Sequence, residues 1–198
     1  MIKLRLLRVM KMDRNKAFKI LTKHIKDDFY INHSLCVEAI MKKLAEKLEA
    51  KNIEEWAIAG LLHDLDEESC DWKNDMSVHG PVSIKILKEE NFGNEKIYNA
   101  ILAHNPRNGY RAKTNIEYAL LAADPMSGFI VAIAKGYPDG KIKSVKVSSI
   151  LKRFKETRYA KGASRPFMIK IEKTGIELEE FAEIALEALT EISDQIGL

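Results

Sequence analysis

The chain has 198 residues, 46% of them hydrophobic, with 10 glycines and 5 prolines, which fits one well-buried globular domain and leaves little room for two. Its formal net charge of +3 is uneven: residues 1–16 carry +5 and the remainder −2, so the main body is not the basic surface of a nucleic-acid binder. Cys36 and Cys70 stand alone, without a CxxC pair, which argues against a thiolate zinc site and against an oxidising compartment.

Residues 1–12, MIKLRLLRVMKM, read as a basic arm. They lack a small-residue cleavage site, and no apolar stretch looks long enough for a bilayer, so the expected setting is soluble and cytoplasmic. From there the hydrophobic spacing is helical almost throughout and predicts an all-α domain over residues 13–198. A first helix is expected at 13–25, with Asp13 as N-cap. A longer one at 28–50 has Val37, Ile40, Met41, Leu44 and Leu48 on its buried stripe and His33 in its first turns. Residues 53–65 are apolar on every side around Trp56 to Leu62, which predicts an enclosed helix delivering His63-Asp64 at its carboxyl end.

His79-Gly80-Pro81 is a helix entrance, because proline is tolerated at the first helical position. The helix from about 94 should stop at His104-Asn105, since Pro106 disfavours helical geometry in the residue before it. Another helix from 114 to 135 should be interrupted at Asp124-Pro125. Gly136 to Gly140 is turn chemistry rather than a phosphate loop. Residues 141–161 hold eight basic side chains against Glu156 alone, which reads as a solvated face ahead of a phosphate-facing wall. C-terminal helices are expected at 147–157, 165–173 and 178–196.

Four of the five histidines fall in order with two aspartates: His33, His63-Asp64, His79, His104 and Asp124. Adjacent residues on a helix point about 100° apart, so His63 and Asp64 can straddle two ions, the imidazole taking one and the two carboxylate oxygens bridging both. The remaining donors divide into His33, His63 and Asp124 with Asp64 for a first ion, and His79 and His104 with Asp64 for a second. His24 stands outside the series, and Glu38, though near His33, reads as a solvent-facing or supporting residue. Trp56 and Trp72 read as packing.

The order H, HD, H, H, D, with the dyad in WAIAGLLHD and the later histidines in HGPVSIKIL and AILAHN, resembles the HD-domain metal-dependent phosphohydrolase superfamily. The resemblance covers about residues 20–135 and implies a helical HD-domain bundle with a C-terminal extension at 145–198. His79 and His104 imply the dinuclear branch of that superfamily, with iron or manganese favoured and cobalt, nickel, zinc or magnesium also compatible with imidazole and carboxylate donors. Many relatives follow the dyad with Ile-Gly-Lys, the lysine lying near substrate phosphate, whereas this chain reads Leu65-Asp66-Glu67. Phosphate contacts are therefore expected from Arg107, Arg111 and Lys113, or from Arg165, Lys152 and Arg153 in the C-terminal helices.

The function implied is hydrolysis of a phosphomonoester, nucleotide or phosphoanhydride by a metal-bridging hydroxide, with no protein nucleophile and with Asp64 as the catalytic bridge. The expected partner is a small anionic phosphorylated substrate such as a nucleotide, with no membrane and no nucleic acid; a homodimer is left open. Two other classes share the ligand set or the pocket: a mixed-valence di-iron oxygenase, and a non-catalytic metal-dependent nucleotide sensor.

Overall fold

A computed structural model describes residues 12–198; the basic arm expected at 1–12 therefore lies, Met12 aside, outside the described residues. Among the described residues there is no strand, and the order of α-helices is α1 (Arg14–His24), α2 (Asp28–Leu48), α3 (Ile53–Leu61), α4 (Pro81–Glu89), α5 (Glu95–His104), α6 (Asn115–Lys135), α7 (Val147–Phe154), α8 (Arg165–Met168) and α9 (Leu178–Ile192). Their starts follow side-chain capping of otherwise unpaired backbone N–H groups. The Asp13 carboxylate accepts from the Asn15 and Lys16 amides, Asp27 from Phe29, and Asn94 from Ile97.

The bundle is organised around α2, α3 and α6. All six residues from Trp56 to Leu61 are buried, and α3 lies against α2 so closely that a Cβ at Gly60 would stand 2.8 Å from the Val37 carbonyl oxygen. Only glycine allows that approach. Trp56 is fully enclosed, and its indole N–H donates to Glu49 at 2.7 Å. Fully buried leucines and isoleucines such as Leu44, Ile58, Leu61 and Ile130 each contribute about 1.5–3 kcal/mol. The C-terminal helices pack on the same core: α9 lies against α2 and α6, and one buried cluster runs from Ala17 to Ile196.

Five local expectations are corrected. Helix α3 ends at Leu61, four residues short, because the Gly60 carbonyl, which a continued helix would offer to the Asp64 amide, accepts from His63 Nδ1 at 2.8 Å instead. Helix α6 is not interrupted: it runs through Pro125, and packing against α2, α5 and α9 outweighs the one backbone bond that proline removes. That same helix is long and apolar enough to cross a bilayer by length and composition, contrary to the sequence reading, but most of it is buried within the bundle. Residues 169–174 continue α8 as a 3₁₀ run, and α9 closes at Ile192.

Candidate metal centre

Five elements bring the series together. His33 comes from the second turn of α2, His63 and Asp64 from the turn after α3, His79 from the approach to α4, His104 from the last position of α5, and Asp124 from the middle of α6. Asp64 is central. Its Oδ2 lies 3.4 Å from His33 Nε2 and 3.2 Å from His63 Nε2, while its Oδ1 lies 3.2 Å from His79 Nε2 and 3.4 Å from His104 Nε2. Asp124 Oδ1 joins the first pair, at 3.2 Å from His33 and 3.9 Å from His63. The six side chains thus sort into two donor sets that share one carboxylate. Because His63-Asp64 follows the helix rather than lying on it, the turn and not helical twist divides the two residues between the sets.

Each imidazole is held by its other nitrogen. His63 Nδ1 faces the Gly60 carbonyl at 2.8 Å, His104 Nδ1 faces the Ile101 carbonyl, and His79 Nδ1 faces Asp66 Oδ1 at 2.8 Å. His33 Nδ1 faces Ser127 Oγ at 3.2 Å, and that hydroxyl already donates to the Asp124 carbonyl at 2.8 Å, so it accepts from the ring. Four acceptors therefore fix the proton on Nδ1 four times, and all four Nε2 lone pairs point inward at two carboxylates. His79 and His104 Nε2 face each other at 2.9 Å, and His63 Nε2 is buried without a hydrogen-bond partner. Opposed lone pairs and an orphaned buried nitrogen are costly unless a positive charge lies between them. The donor set fits divalent cations, and the groups His33/His63/Asp64 and Asp64/His79/His104 are each compact enough to hold one.

In the metal-free protein, protons stand in for those cations. Burial alone would lower the His33 pKa, but hydrogen bonds to Asp124 and Asp64 push it up to about 10. His79 is likewise raised, against burial, to about 11 by Asp64 and Asp66. Burial would raise Asp64, yet the adjacent His63 and the His104 and His33 rings that face its oxygens hold it well below the usual carboxylate range. Asp124 is lowered against burial chiefly by His33. Glu67, on the same turn, is pushed up to about 7 by burial and then by the Asp64 charge.

Supporting residues were less visible in the sequence. Asp66 is fully buried: its carboxylate accepts from His79 Nδ1, from the Gly80 amide at 2.8 Å and from the Ser83 amide at 3.1 Å. Gly80 reaches that position with φ +96°, a backbone conformation suited to glycine. The Leu65-Asp66-Glu67 sequence after the dyad thus places a carboxylate, that of Asp66, directly behind a ligand. The buried Asn105 amide donates to the Met76 and His79 carbonyls, tying the end of α5 to the His79 loop.

The basic residues expected at substrate phosphate are placed as follows. Arg107, Arg111 and Lys113 are exposed on the segment after α5, and Arg111 donates to the Pro106 and Tyr110 carbonyls. Arg165 donates to the Tyr159, Ala160 and Ala163 carbonyls and lies 4.3 Å from the Phe129 ring centroid, a use that holds the α7–α8 connection. Lys152 and Arg153 are exposed, with Arg153 paired to Glu156 at 2.6 Å. Glu38 is buried rather than solvent-facing and forms a two-point ion pair with Arg14 at 2.7 Å. His24 pairs with Glu90 away from the cluster.

Among known families, the model described as HD domain matches residues 30–134, more than half of the chain and the span that supplies all six donors. No curated protein and no solved structure matches the chain.

Proposed function

Because the chain belongs to the HD-domain family, we propose that it is a metal-dependent phosphohydrolase acting in the cytoplasm on a phosphomonoester, nucleotide or phosphoanhydride. The observation that carries this reading is the shared carboxylate: Asp64 presents one oxygen to His33 and His63 and the other to His79 and His104. Divalent ions held by the two sets, iron or manganese by preference, supply a lowered pKa for water and positive charge for phosphoryl oxygens. The chain's own residues do the rest by fixing geometry. Asp64 sets the separation of the two donor sets; Gly60, Ile101, Asp66 and Ser127 hold the imidazoles in the ligating tautomer.

Water is the nucleophile in this reading, since the nearby side chains that could attack are otherwise engaged. Ser127 and Ser83 are buried and hydrogen-bonded, and burial pushes the Cys36 thiol up to about 12. The more exposed side of the centre is that of Asp124 and His33, at 31% and 19% side-chain exposure against 0% for His63, so substrate enters there.

The test is anaerobic purification, metal quantification and a phosphate-release screen over nucleotides, dinucleotides and sugar phosphates with iron or manganese supplied. Turnover with phosphate release is expected, and Asp64→Ala should abolish it together with metal binding. An Asp64→Ala protein that keeps two ions and full activity overturns the assignment. Oxygen uptake without phosphate release would replace it with the oxygenase reading, and tight nucleotide binding without turnover would replace it with a sensor.

A further inference from the structure

One of the six donors, His33, also lines a cavity. On α2, Phe29, Asn32, His33 and Cys36 fall at the three-and-four spacing of one helix face; on α6, Asp124 heads a similar stripe through Ser127, Gly128, Val131, Ala132 and Lys135. The facing stripes, with Ile196 and Leu198 closing one side, enclose about 340 Å³, within the range of small-molecule sites. His33 and Ser127 line this cavity while bonding to each other, so its floor is the outer wall of the metal centre, on the exposed side.

We propose that this cavity is the specificity pocket of the centre and takes an apolar, ring-sized group carried by a phosphate monoester. The inference rests on the phosphohydrolase reading for the phosphate and on the cavity alone for the ring. Three observations carry it. The walls are mostly apolar, and among the described residues the one cationic side chain lining the cavity, Lys135, lies three turns beyond Asp124, about 16 Å along the helix, so a polyphosphate tail finds no countercharge on those described walls near the centre. Phe29 is 63% exposed, the most exposed large apolar side chain among the described residues, and it stands at the cavity, where a ring can stack on it. Gly128 lies in the interior of α6, where glycine weakens a helix, yet a Cβ there would meet nothing within 4 Å. Unlike Gly60, it is not demanded by close packing; its missing side chain is cavity space.

The pocket is tested on the metal-loaded full chain with 2-naphthyl phosphate against glycerol 2-phosphate, and on the metal-free chain with 2-naphthol by calorimetry. Naphthyl phosphate should be preferred in kcat/KM by at least about tenfold. Gly128→Leu, which fills the space with a better helix former, should reduce that preference and the naphthol affinity by about tenfold or more, and Phe29→Ala should lower both in the same direction. Wild-type protein that does not bind naphthol, or variants that both bind it as tightly as wild type, would overturn the pocket. Naphthol binding depends on neither metal nor turnover, so intact binding with no phosphate released from either ester sinks the phosphomonoester form of that reading and leaves the apolar pocket standing.

Discussion

Replacing Asp66 separates the folding role of the residues behind the metal centre from their role in ligation. Its carboxylate accepts from three buried donors, His79 Nδ1 and the Gly80 and Ser83 amides, at 2.8, 2.8 and 3.1 Å. Asp66→Ala orphans all three. At about 1–3 kcal/mol for each unsatisfied buried donor, and allowing for local relaxation, the loss should be about 3–5 kcal/mol, a large part of a typical domain's stability. Asp66→Asn is the sharper perturbation. The Gly80 and Ser83 amides cannot give up their hydrogens, so the new amide must turn its oxygen to them and its NH₂ to His79. The ring can then accept only by moving its proton from Nδ1 to Nε2, which removes the lone pair that faces the second ion. Asp66→Asn should therefore cost only about 1–2 kcal/mol of stability but weaken the second ion by about 10–100-fold, leaving the first, at His33, His63 and Asp124, nearly unchanged. Urea unfolding of the metal-free proteins measures the first quantity, and calorimetric metal titration resolves the second. An Asp66→Asn protein that binds both ions as wild type does would refute the tautomer argument.

Protonation of the metal-free centre gives a second prediction. His33 and His79, at about 10 and 11, lie above the unfolded value of about 6.5. Their contribution to stability is complete below about pH 6.5 and is lost as pH rises through 10 to 11, so the metal-free protein should unfold at lower urea at pH 10.5 than at pH 8. Metal loading at pH 8 should release protons, seen as a buffer-dependent enthalpy; a buffer-independent enthalpy would contradict it. Arg165→Ala should lower stability by about 2–4 kcal/mol through the carbonyls it leaves unpaired, without changing metal content. Arg165→Lys should not restore it, since one ammonium cannot reproduce the planar fork, and a destabilisation below 1 kcal/mol would argue for a substrate role instead. Gly60→Ala should destabilise by about 1–3 kcal/mol, because the Val37 carbonyl and Glu38 amide that its Cβ would meet are backbone and cannot swing away. Thermal melts of that variant unchanged from wild type would mean that α2 and α3 can separate freely.

What the sequence made legible was what periodicity and residue type encode: the enclosed α3, the capped start of α1, and the six donors in order. The roles that escaped it depend on partners distant in the chain. Asp66 read only as part of the departure from Ile-Gly-Lys because its meaning lies in His79, 13 positions on, and Ser127 gains its role only when α6 packs against α2. Arg165 read as a candidate phosphate contact, since charge composition does not reveal a knot of carbonyls waiting for a guanidinium. The end of α3 belongs between these cases. His63 and His104 each turn Nδ1 back to the carbonyl three residues before them, Gly60 and Ile101, at the point where the helix stops. One bond thereby satisfies a helix-end carbonyl that would otherwise be orphaned and fixes the tautomer that leaves Nε2 free to ligate. Termination and ligand preparation are the same event in both, so a histidine at or just past the last position of a buried helix carries a local signal for ligation independent of its place in the series.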